Sequence, residues 1–313
     1  MKQLMLGNEA VARGLYEAGV KVVSSYPGTP STEITEFAAK YEEMYSEWAP
    51  NEKVAAEVAI GAAFAGARSF CAMKHVGLNV AADPLYTAAY TGVNGGFVLA
   101  VADDPGMHSS QNEQDSRHHA IAAKVMMLEP ADSAECLQFT KLAYEYSERF
   151  DTPVILRLST RISHSRSLVE VSPREERELK EFAHDPGKYV MMPAMAIKRH
   201  AVIEERQRSI AAFAETAEIN RVVEHAGAAI GVITSGACYQ YCVEALGARA
   251  SYLKLGIVNP LPVELIRNFA AKYEKVYVVE ELDGIIETHC KAHGVDVTGK
   301  ELFGPLGELS QRI

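Results

Sequence analysis

One carboxylate, Glu57, stands out because it interrupts a run of small residues. The segment 51–74 reads NEKVAAEVAIGAAFAGARSFCAMK, in which the alanines favour a helix and Gly61 allows another backbone to come close. A carboxylate among such residues is costly to bury unless it is protonated or accepts a hydrogen bond. Glu57 is therefore a candidate acid–base group. The alternative is a solvated position beside Glu52 and Lys53 on the polar face of the helix.

Two polar loops could form a ligand pocket beside this acid. The loop 26–32 reads YPGTPST and separates a predicted strand from a predicted helix. The loop 103–117 follows a continuous apolar strand and is rich in hydrogen-bond donors and acceptors. Because ligands of open α/β sheets bind at the carboxyl ends of the strands, we predict that both loops line one pocket. A merely solvated loop is the alternative for 103–117.

Alternating strands and helices would position these groups. Strands are predicted at 20–25, 69–73, 96–102, 125–128 and 153–158, and helices at 8–18, from about 31, from about 51, at 83–90 and at 132–150. The segment 75–80 is predicted as a glycine-containing turn before a helix with Pro84 at its first position. Strands that alternate with helices predict a doubly wound domain with a parallel sheet.

The rest of the chain predicts a second, smaller domain of the same class. We expect a first domain at 1–160, a crossover linker with a long charged helix at 161–225, a second domain at 226–298 and a tail at 299–313. The predicted fold class is α/β, with two doubly wound three-layer α/β/α domains. The turn 234–236 could bind an anion at a helix N-terminus or could be a simple capped turn.

Composition excludes several functional classes. The chain has 313 residues, 48% of them hydrophobic, which is enough for two globular cores. Its formal charge of −10 argues against nucleic acids or anionic membranes as partners. No apolar run approaches the roughly 20 residues of a membrane-spanning helix. Five scattered cysteines predict reduced thiols in a cytoplasmic protein, with no metal site and no iron–sulfur cluster within this chain.

Several long motifs resemble those of one enzyme family. They are YPGTPST (26–32), EVAIGAAFAGAR (57–68), KHVGLNVAADPL (74–85) and DDPGMHSSQNEQDSR (103–117). Together they resemble the thiamine-diphosphate-dependent 2-oxoacid:ferredoxin oxidoreductases, in particular those that act on indolepyruvate. The segments 255–267 and 276–284 resemble the transketolase-C-like second domain of that family, so the resemblance covers the whole chain.

The resemblance implies a role for each loop. The first domain would bind the pyrimidine end of thiamine diphosphate, with Glu57 on the aminopyrimidine ring and Thr29 at the reacting end. A protonatable carboxylate there favours the imino tautomer that removes the thiazolium C2 proton, provided that the pocket is dry. We expect the Ala/Gly helix to provide that dryness. The implied cofactor-binding residues are Tyr26, Pro27, Gly28, Thr29, Glu57, His75, Asn79, His108, Gln111 and Asn112.

Two features of that family are absent from this sequence. There is no GDG motif with a downstream Asn for the diphosphate and Mg²⁺, and no cluster of cysteines for 4Fe–4S centres. The resemblance therefore implies that both lie on a missing half or on a partner. The implied partners are a diphosphate-binding domain or subunit, a beta subunit and ferredoxin, with an aryl pyruvate and coenzyme A as substrates. We also expect a homodimer formed through the loops at the carboxyl edge, to which the Ala/Gly face of the Glu57 helix adds a surface for close helix contact.

Two other functions remain open at this point. One is a non-catalytic assembly or regulatory subunit with a vestigial thiamine pocket, which the missing metal motif favours and the presence of Glu57 disfavours. The other is a nucleotide- or acyl-binding protein that uses the turn at Ser235 and Gly236.

Overall fold

A computed structural model describes residues 1–182 and 184–312. Its strands are β1 (Lys2–Leu6), β2 (Val22–Ser25), β3 (Tyr45–Trp48), β4 (Ser69–Lys74), β5 (Phe97–Asp103), β6 (Met126–Leu128), β7 (Val154–Ser159), β8 (Arg166–Glu170), β9 (Arg221–Val223), β10 (Ile230–Ser235), β11 (Ala250–Leu255), β12 (Ile257–Asn259) and β13 (Lys275–Val279). Its helices are α1 (Gly7–Glu17), α2 (Thr32–Ala38), α3 (Glu52–Phe64), α4 (His75–Thr91), α5 (Arg117–Ala123), α6 (Ser133–Phe150), α7 (Thr160–His164), α8 (Pro186–Tyr189), α9 (Pro193–Ala214), α10 (Gly236–Leu246), α11 (Val263–Ala270), α12 (Ile285–Ala292) and α13 (Lys300–Phe303).

The strands form three sheets. The largest has the order β12-β6-β7-β5-β4-β2-β3 and is parallel except for the pairing of β12 with β6. A second sheet has the order β13-β10-β11-β9, in which β9 alone is antiparallel to its neighbour. The third is the antiparallel pair β1-β8. The predicted α/β class with parallel sheets is confirmed.

The large sheet is covered on both faces. Along β4, Phe70 and Ala72 belong to one buried apolar cluster and Cys71 and Met73 to another. This alternation is the geometry of a strand, whose successive side chains point to opposite faces. The first cluster includes residues of α1 and α6, and the second includes residues of α3 and α4. The carboxyl ends of the strands are therefore left as the open edge.

The turn predicted at residues 75–80 was wrong, whereas the helix predicted at 83–90 is confirmed as part of a longer helix. α4 is one continuous helix that contains both Gly77 and Pro84. Gly77 does not make a turn: it lies where the side chain of Glu52 packs, and a Cβ there would come within 2.6 Å of Glu52 Oε1. Pro84 removes one hydrogen bond to the carbonyl of Val80, and Val80 lies on the exposed side of the helix, where water can replace that bond.

The second half of the chain departs from the prediction in several places, among them the strands β8 and β9 inside the predicted linker. β12 was not predicted, since three residues carry no periodic signal, and it extends the large sheet of the N-terminal half. The long charged helix, α9, ends at Ala214 rather than near residue 225. Its Arg206 is buried and donates to the carbonyl oxygen of Asp151 at 2.6 Å, so the helix is fixed to the N-terminal half. The predicted domain boundaries themselves stay a prediction.

Candidate functional site

The loop after β2 is held in shape by its own hydrogen bonds. The Gly28 N–H donates to Thr32 Oγ1 at 2.9 Å, and the Gly28 carbonyl accepts from the Ser31 hydroxyl at 2.9 Å. These bonds hold the chain just ahead of α2. Tyr26, Pro27 and Thr29 are all exposed on this fixed loop, at the carboxyl edge of the sheet, so their side chains are accessible to a ligand.

The second predicted loop meets the first, as the sequence analysis expected. The Ser109 hydroxyl donates to the Thr29 carbonyl at 3.1 Å, and Lys74 Nζ donates to the Ser109 carbonyl at 3.1 Å. The carboxylate of Asp104 fixes the backbone of Ser109, because it accepts a hydrogen bond from the Ser109 N–H at 2.8 Å. Although partial burial opposes it, hydrogen bonds from the Thr160 hydroxyl and from Ser109 lower the pKa of Asp104. An ionised carboxylate therefore orders this corner of the site.

His75 and Asn79 hold the rest of the loop against α4. His75 is 1% exposed, and its Nε2 donates to the Asn112 carbonyl at 3.1 Å. Its other ring nitrogen, Nδ1, is buried and has no hydrogen-bond partner among the described residues. Asn79 donates to Gln114 Oε1 at 2.9 Å. These two residues therefore position the loop.

Glu57 does not lie in a dry pocket formed by its own helix. The alanines 55, 56, 59 and 63 of α3 face the sheet and are buried, whereas Glu57, Val58, Gly61 and Ala65 face outward. A Cβ at Gly61 would meet no atom within 4 Å. The expectation that the Ala/Gly helix alone desolvates Glu57 was wrong, because small residues on the sheet side leave the opposite face open. A second surface has to cover Glu57 before its carboxylate is desolvated.

The remaining predicted positions lie on the outer rim of the loop. Gln111 and Asn112 are exposed. His108 is also exposed and lies 3.2 Å from a carboxylate oxygen of Glu308, near the C-terminus. The structure thus brings Thr29, Lys74 and Ser109 together and ties His75 to Asn112. It shows no hydrogen bond between Glu57 and these loops among the described residues.

Sequence reasoning missed a buried charge network at the end of the same loop. Arg117 is fully buried and pairs with Asp115 at 2.6 Å and with Glu280 at 2.5 Å. It also donates to the carbonyls of Glu281 and Asp283, at 3.0 and 2.8 Å. A loop predicted as a pocket wall is therefore anchored at one end to the C-terminal half of the chain.

A second buried arginine, Arg157, extends this network. It pairs with Asp103 at 2.8 Å and with Glu129 at 2.6 Å, and Glu129 accepts from the Ser235 hydroxyl at 2.9 Å. Glu129 also leaves no room for a Cβ at Gly236, so a carboxylate of the protein itself occupies the start of α10. The turn at Ser235 therefore binds an internal anion. Arg157 is the one charged residue in the otherwise apolar strand 153–158, and this was the signal in the sequence that could have revealed the network.

The cysteines and acidic residues form no metal centre in the part of the chain that the structure describes. No group of three or more His, Cys, Asp or Glu side chains is arranged to hold an ion there. All five cysteines are free and buried, and burial raises the pKa of Cys242 to about 12. The predicted reduced thiols are consistent with these free, buried side chains and stay a prediction. None of the described helices is long and apolar enough to cross a membrane.

Comparisons with known proteins all find relatives among the oxidoreductases of 2-oxoacids. Residues 13–248 match the family described as "Pyruvate flavodoxin/ferredoxin oxidoreductase, thiamine diP-bdg". The chain is 45% identical to indolepyruvate oxidoreductase subunit IorA of Archaeoglobus fulgidus, over 96% of this chain and 50% of that protein. It is 42% identical to the subunit of the same name from Thermococcus kodakarensis, over 99% of this chain and 51% of that protein. The chain thus spans about half the length of these curated relatives.

Two solved structures share the fold. The first is the 2-oxoglutarate:ferredoxin oxidoreductase from Magnetococcus marinus, with a TM-score of 0.79 and 19% identity, over 99% of this chain and 64% of that chain. The second is a split-gene transketolase, with a TM-score of 0.59 and 18% identity, over 94% of this chain and 87% of that chain. At such low identities these similarities concern the fold alone.

Proposed function

The chain belongs to the thiamine-diphosphate-binding family of the pyruvate flavodoxin/ferredoxin oxidoreductases, and from that premise we propose that it is the pyrimidine-binding half of an indolepyruvate:ferredoxin oxidoreductase. The observation that carries the proposal is the 45% identity to IorA over 96% of this chain. The complete enzyme would oxidatively decarboxylate an aryl pyruvate to an acyl-CoA and pass the electrons to ferredoxin.

The residues of this chain fit the pyrimidine end of thiamine diphosphate in their chemistry. Glu57 offers an exposed carboxylate for the ring nitrogen. The exposed residues Tyr26, Pro27 and Thr29 lie on a loop fixed by Gly28 and Ser31, and His75 supports the site from α4 by holding the Asn112 carbonyl. The proposed set is completed by three residues of the loop 103–117 and by one residue of α4 that bonds to this loop. They are His108, Gln111, Asn112 and Asn79.

Within this site the protein supplies orientation and a proton, while bound thiamine diphosphate supplies the electron sink for decarboxylation. Glu57 would share a proton with the ring nitrogen, which requires a carboxyl group shielded from water. Thr29 would present its hydroxyl at the reacting end, and Ser109 would fix the backbone of Thr29 through the bond to its carbonyl. Because Glu57 is exposed, the shielding surface has to come from another domain or subunit.

The proposal assigns the remaining chemistry to other segments or subunits. The diphosphate and Mg²⁺ would be held by a diphosphate-binding domain or subunit, and the 4Fe–4S clusters that reduce ferredoxin would lie there or on a beta subunit. The relatives are themselves named as subunits, which supports an assembly of several chains. The five free thiols fit the reducing conditions of the cytoplasm.

The substitution Glu57→Gln tests this function. In the complex of this chain with its diphosphate-binding partner, we expect exchange of the thiazolium C2 proton, followed by NMR in D₂O, to slow by about 10²–10⁴-fold. A glutamine keeps the size of the side chain but cannot supply the proton. Glu36→Gln, an exposed acid on α2, is the matched control and should leave exchange unchanged. Wild-type exchange in the Glu57→Gln complex would refute the proposal.

A further inference from the structure

Two basic side chains converge on one carboxylate beside the pocket-wall loop. Arg161, at the start of α7, forms two hydrogen bonds to the carboxylate of Glu308. Its Nη2 donates to Oε2 at 2.6 Å, and its Nε donates to Oε1. His108 approaches the same Oε2 atom from the other side, at 3.2 Å. A two-pronged arginine contact is the geometry by which proteins recognise the carboxylates and phosphates of ligands. Here the anion comes from the C-terminal segment of the chain itself.

An apolar cavity adjoins this ion pair. It has a volume of about 290 Å³ and is lined mainly by Tyr241, Cys242, Leu246, Tyr277, Phe303 and Leu309. Burial and the carboxylates of Glu281 and Glu308 raise the pKa of Tyr241, while the charge of Arg161 opposes that rise. Leu309, the residue after Glu308, forms part of the cavity wall, so the cavity and the ion pair share the C-terminal segment. A small apolar group could enter the cavity while an attached anion reached Arg161.

The C-terminal segment that supplies Glu308 is held at few points. Glu308 binds Arg161 and His108, and the Leu309 N–H donates to Glu281 at 3.2 Å. The preceding residues 305–307 are exposed, and the side chain of Leu306 is 85% exposed. Leu309 is buried and lines the cavity, so the Glu308 side chain can turn away from Arg161 while Leu309 stays in the cavity wall. A ligand anion would have to replace only the carboxylate of Glu308.

We propose that Arg161 and His108 form an anion subsite, in which Glu308 stands in for the carboxylate or phosphate of a small ligand whose apolar part enters the adjoining cavity. Release of Glu308 would leave the charge of Arg161 without its carboxylate partner, close to the cavity wall at Leu309, and this charge favours an anion. His108 belongs to the proposed thiamine-binding set, so its part in the subsite rests on the proposed function. The pairing of Arg161 with Glu308 does not.

The test is calorimetric titration of the full chain at constant ionic strength with four probes: phenylacetate, phenyl phosphate, acetate and inorganic phosphate. Glu308→Gln removes the internal competitor, so we expect it to bind the phenyl probes about tenfold more tightly than the wild type. Adding Arg161→Gln to that variant should weaken binding by about tenfold or more, since it removes charge-assisted hydrogen bonds. Arg166→Gln, which removes another exposed arginine, is the control and should change nothing.

Each outcome bears on the proposal. Preference for phenylacetate over phenyl phosphate, or the reverse, identifies the anion as a carboxylate or a phosphate. Equal affinity for phenyl and non-phenyl probes would overturn the role of the cavity. Equal binding by wild type and Glu308→Gln, no binding by either, or no effect of Arg161→Gln would overturn the subsite. Circular dichroism and the midpoint of urea unfolding establish that each variant is folded.

Discussion

At the scale of single residues, the buried arginines explain how a polar loop is held in place. Burial raises the pKa of Asp103. The pKa of Asp115 falls despite its burial, because Arg117 and Arg157 stabilise the ionised form. Replacing both partners of a buried ion pair by apolar residues often leaves the stability of the fold unchanged. Removing only one partner leaves an unpaired buried charge and lowers the stability by about 3–5 kcal/mol. Arg157, through Asp103 and Asp115, and Arg117, through Asp115, therefore hold both ends of the loop 103–117.

Glu281 allows a test of this buried environment through the pH dependence of stability. Burial raises its pKa to about 7, above the ordinary value of 4.5. A carboxyl group with a raised pKa stabilises the fold fully below the unfolded value, and that stability is lost as the pH rises through 7. We therefore expect Glu281→Gln to unfold nearly like the wild type at pH 4.5, within about 0.4 kcal/mol, because only half of the unfolded carboxyl groups are ionised there. At pH 8 the variant should be more stable by roughly 3 kcal/mol, from about 1.4 kcal/mol per pKa unit.

Urea unfolding at both pH values measures this difference. The glutamine keeps an oxygen for the Leu309 N–H, so the known hydrogen bond is not lost. Glu301→Gln, on the exposed side of α13, is the control and should follow the wild type at both pH values. Parallel behaviour of Glu281→Gln and wild type from pH 4.5 to pH 8 would contradict the prediction.

At the scale of elements, the sequence predicted those helices and strands whose formation depends on residues close together in the chain. The helix α3 with its alanines, the helix α6 and the apolar strand β5 were all predicted, because each depends on neighbours in the sequence. α4 was misread because glycine and proline usually mark turns. Its glycine instead accommodates Glu52 from the preceding helix, a contact that depends on how two helices pack.

Close approach between elements gives a prediction in which two glycines behave oppositely. A Cβ at Gly7, in α1, would lie 2.8 Å from the carbonyl carbon of Ile162, in the backbone of α7. Gly7→Ala should therefore destabilise the protein by about 1–3 kcal/mol, the usual cost of overpacking. Gly61→Ala, where a Cβ meets nothing, should stabilise it by about 0.5–1 kcal/mol through helix propensity. Chemical denaturation of both variants measures the two signs, and a shared sign would contradict this account.

At the scale of the whole molecule, the predictable part was the alternation of strands and helices, which determines the α/β class. The contacts that assemble the site join distant parts of the chain. Arg117 meets Glu280, and Arg161 meets Glu308, across more than a hundred residues. Such pairs leave no local pattern, since each partner looks like an ordinary charged residue in its own segment. The loops of the site could therefore be named from the sequence, but their anchors could not.

Self-association is the expectation that depends on the whole molecule. The outward face of α3 carries Val58 and Gly61, and the neighbouring α4 exposes Val80 and Tyr86 at 47% and 37%. We define these four residues as the α3–α4 face. Its apolar side chains and the open space at Gly61 suit contact with a second copy, most simply across a two-fold axis. Such a contact would also begin to shield Glu57, which one copy alone leaves exposed.

Gly61→Arg tests this contact, because a long charged side chain at the centre of the α3–α4 face would prevent close approach. We expect the wild type to sediment as a dimer at micromolar concentration. The variant should raise the dissociation constant by about 30-fold or more, as expected for a central interface residue. Ala39→Arg adds the same side chain at the exposed end of α2, which packs on the other face of the large sheet, and should remain dimeric. A monomeric wild type, or a dimer indifferent to Gly61→Arg, would show that copies of this chain do not meet through α3 and that Glu57 must be shielded by a different subunit.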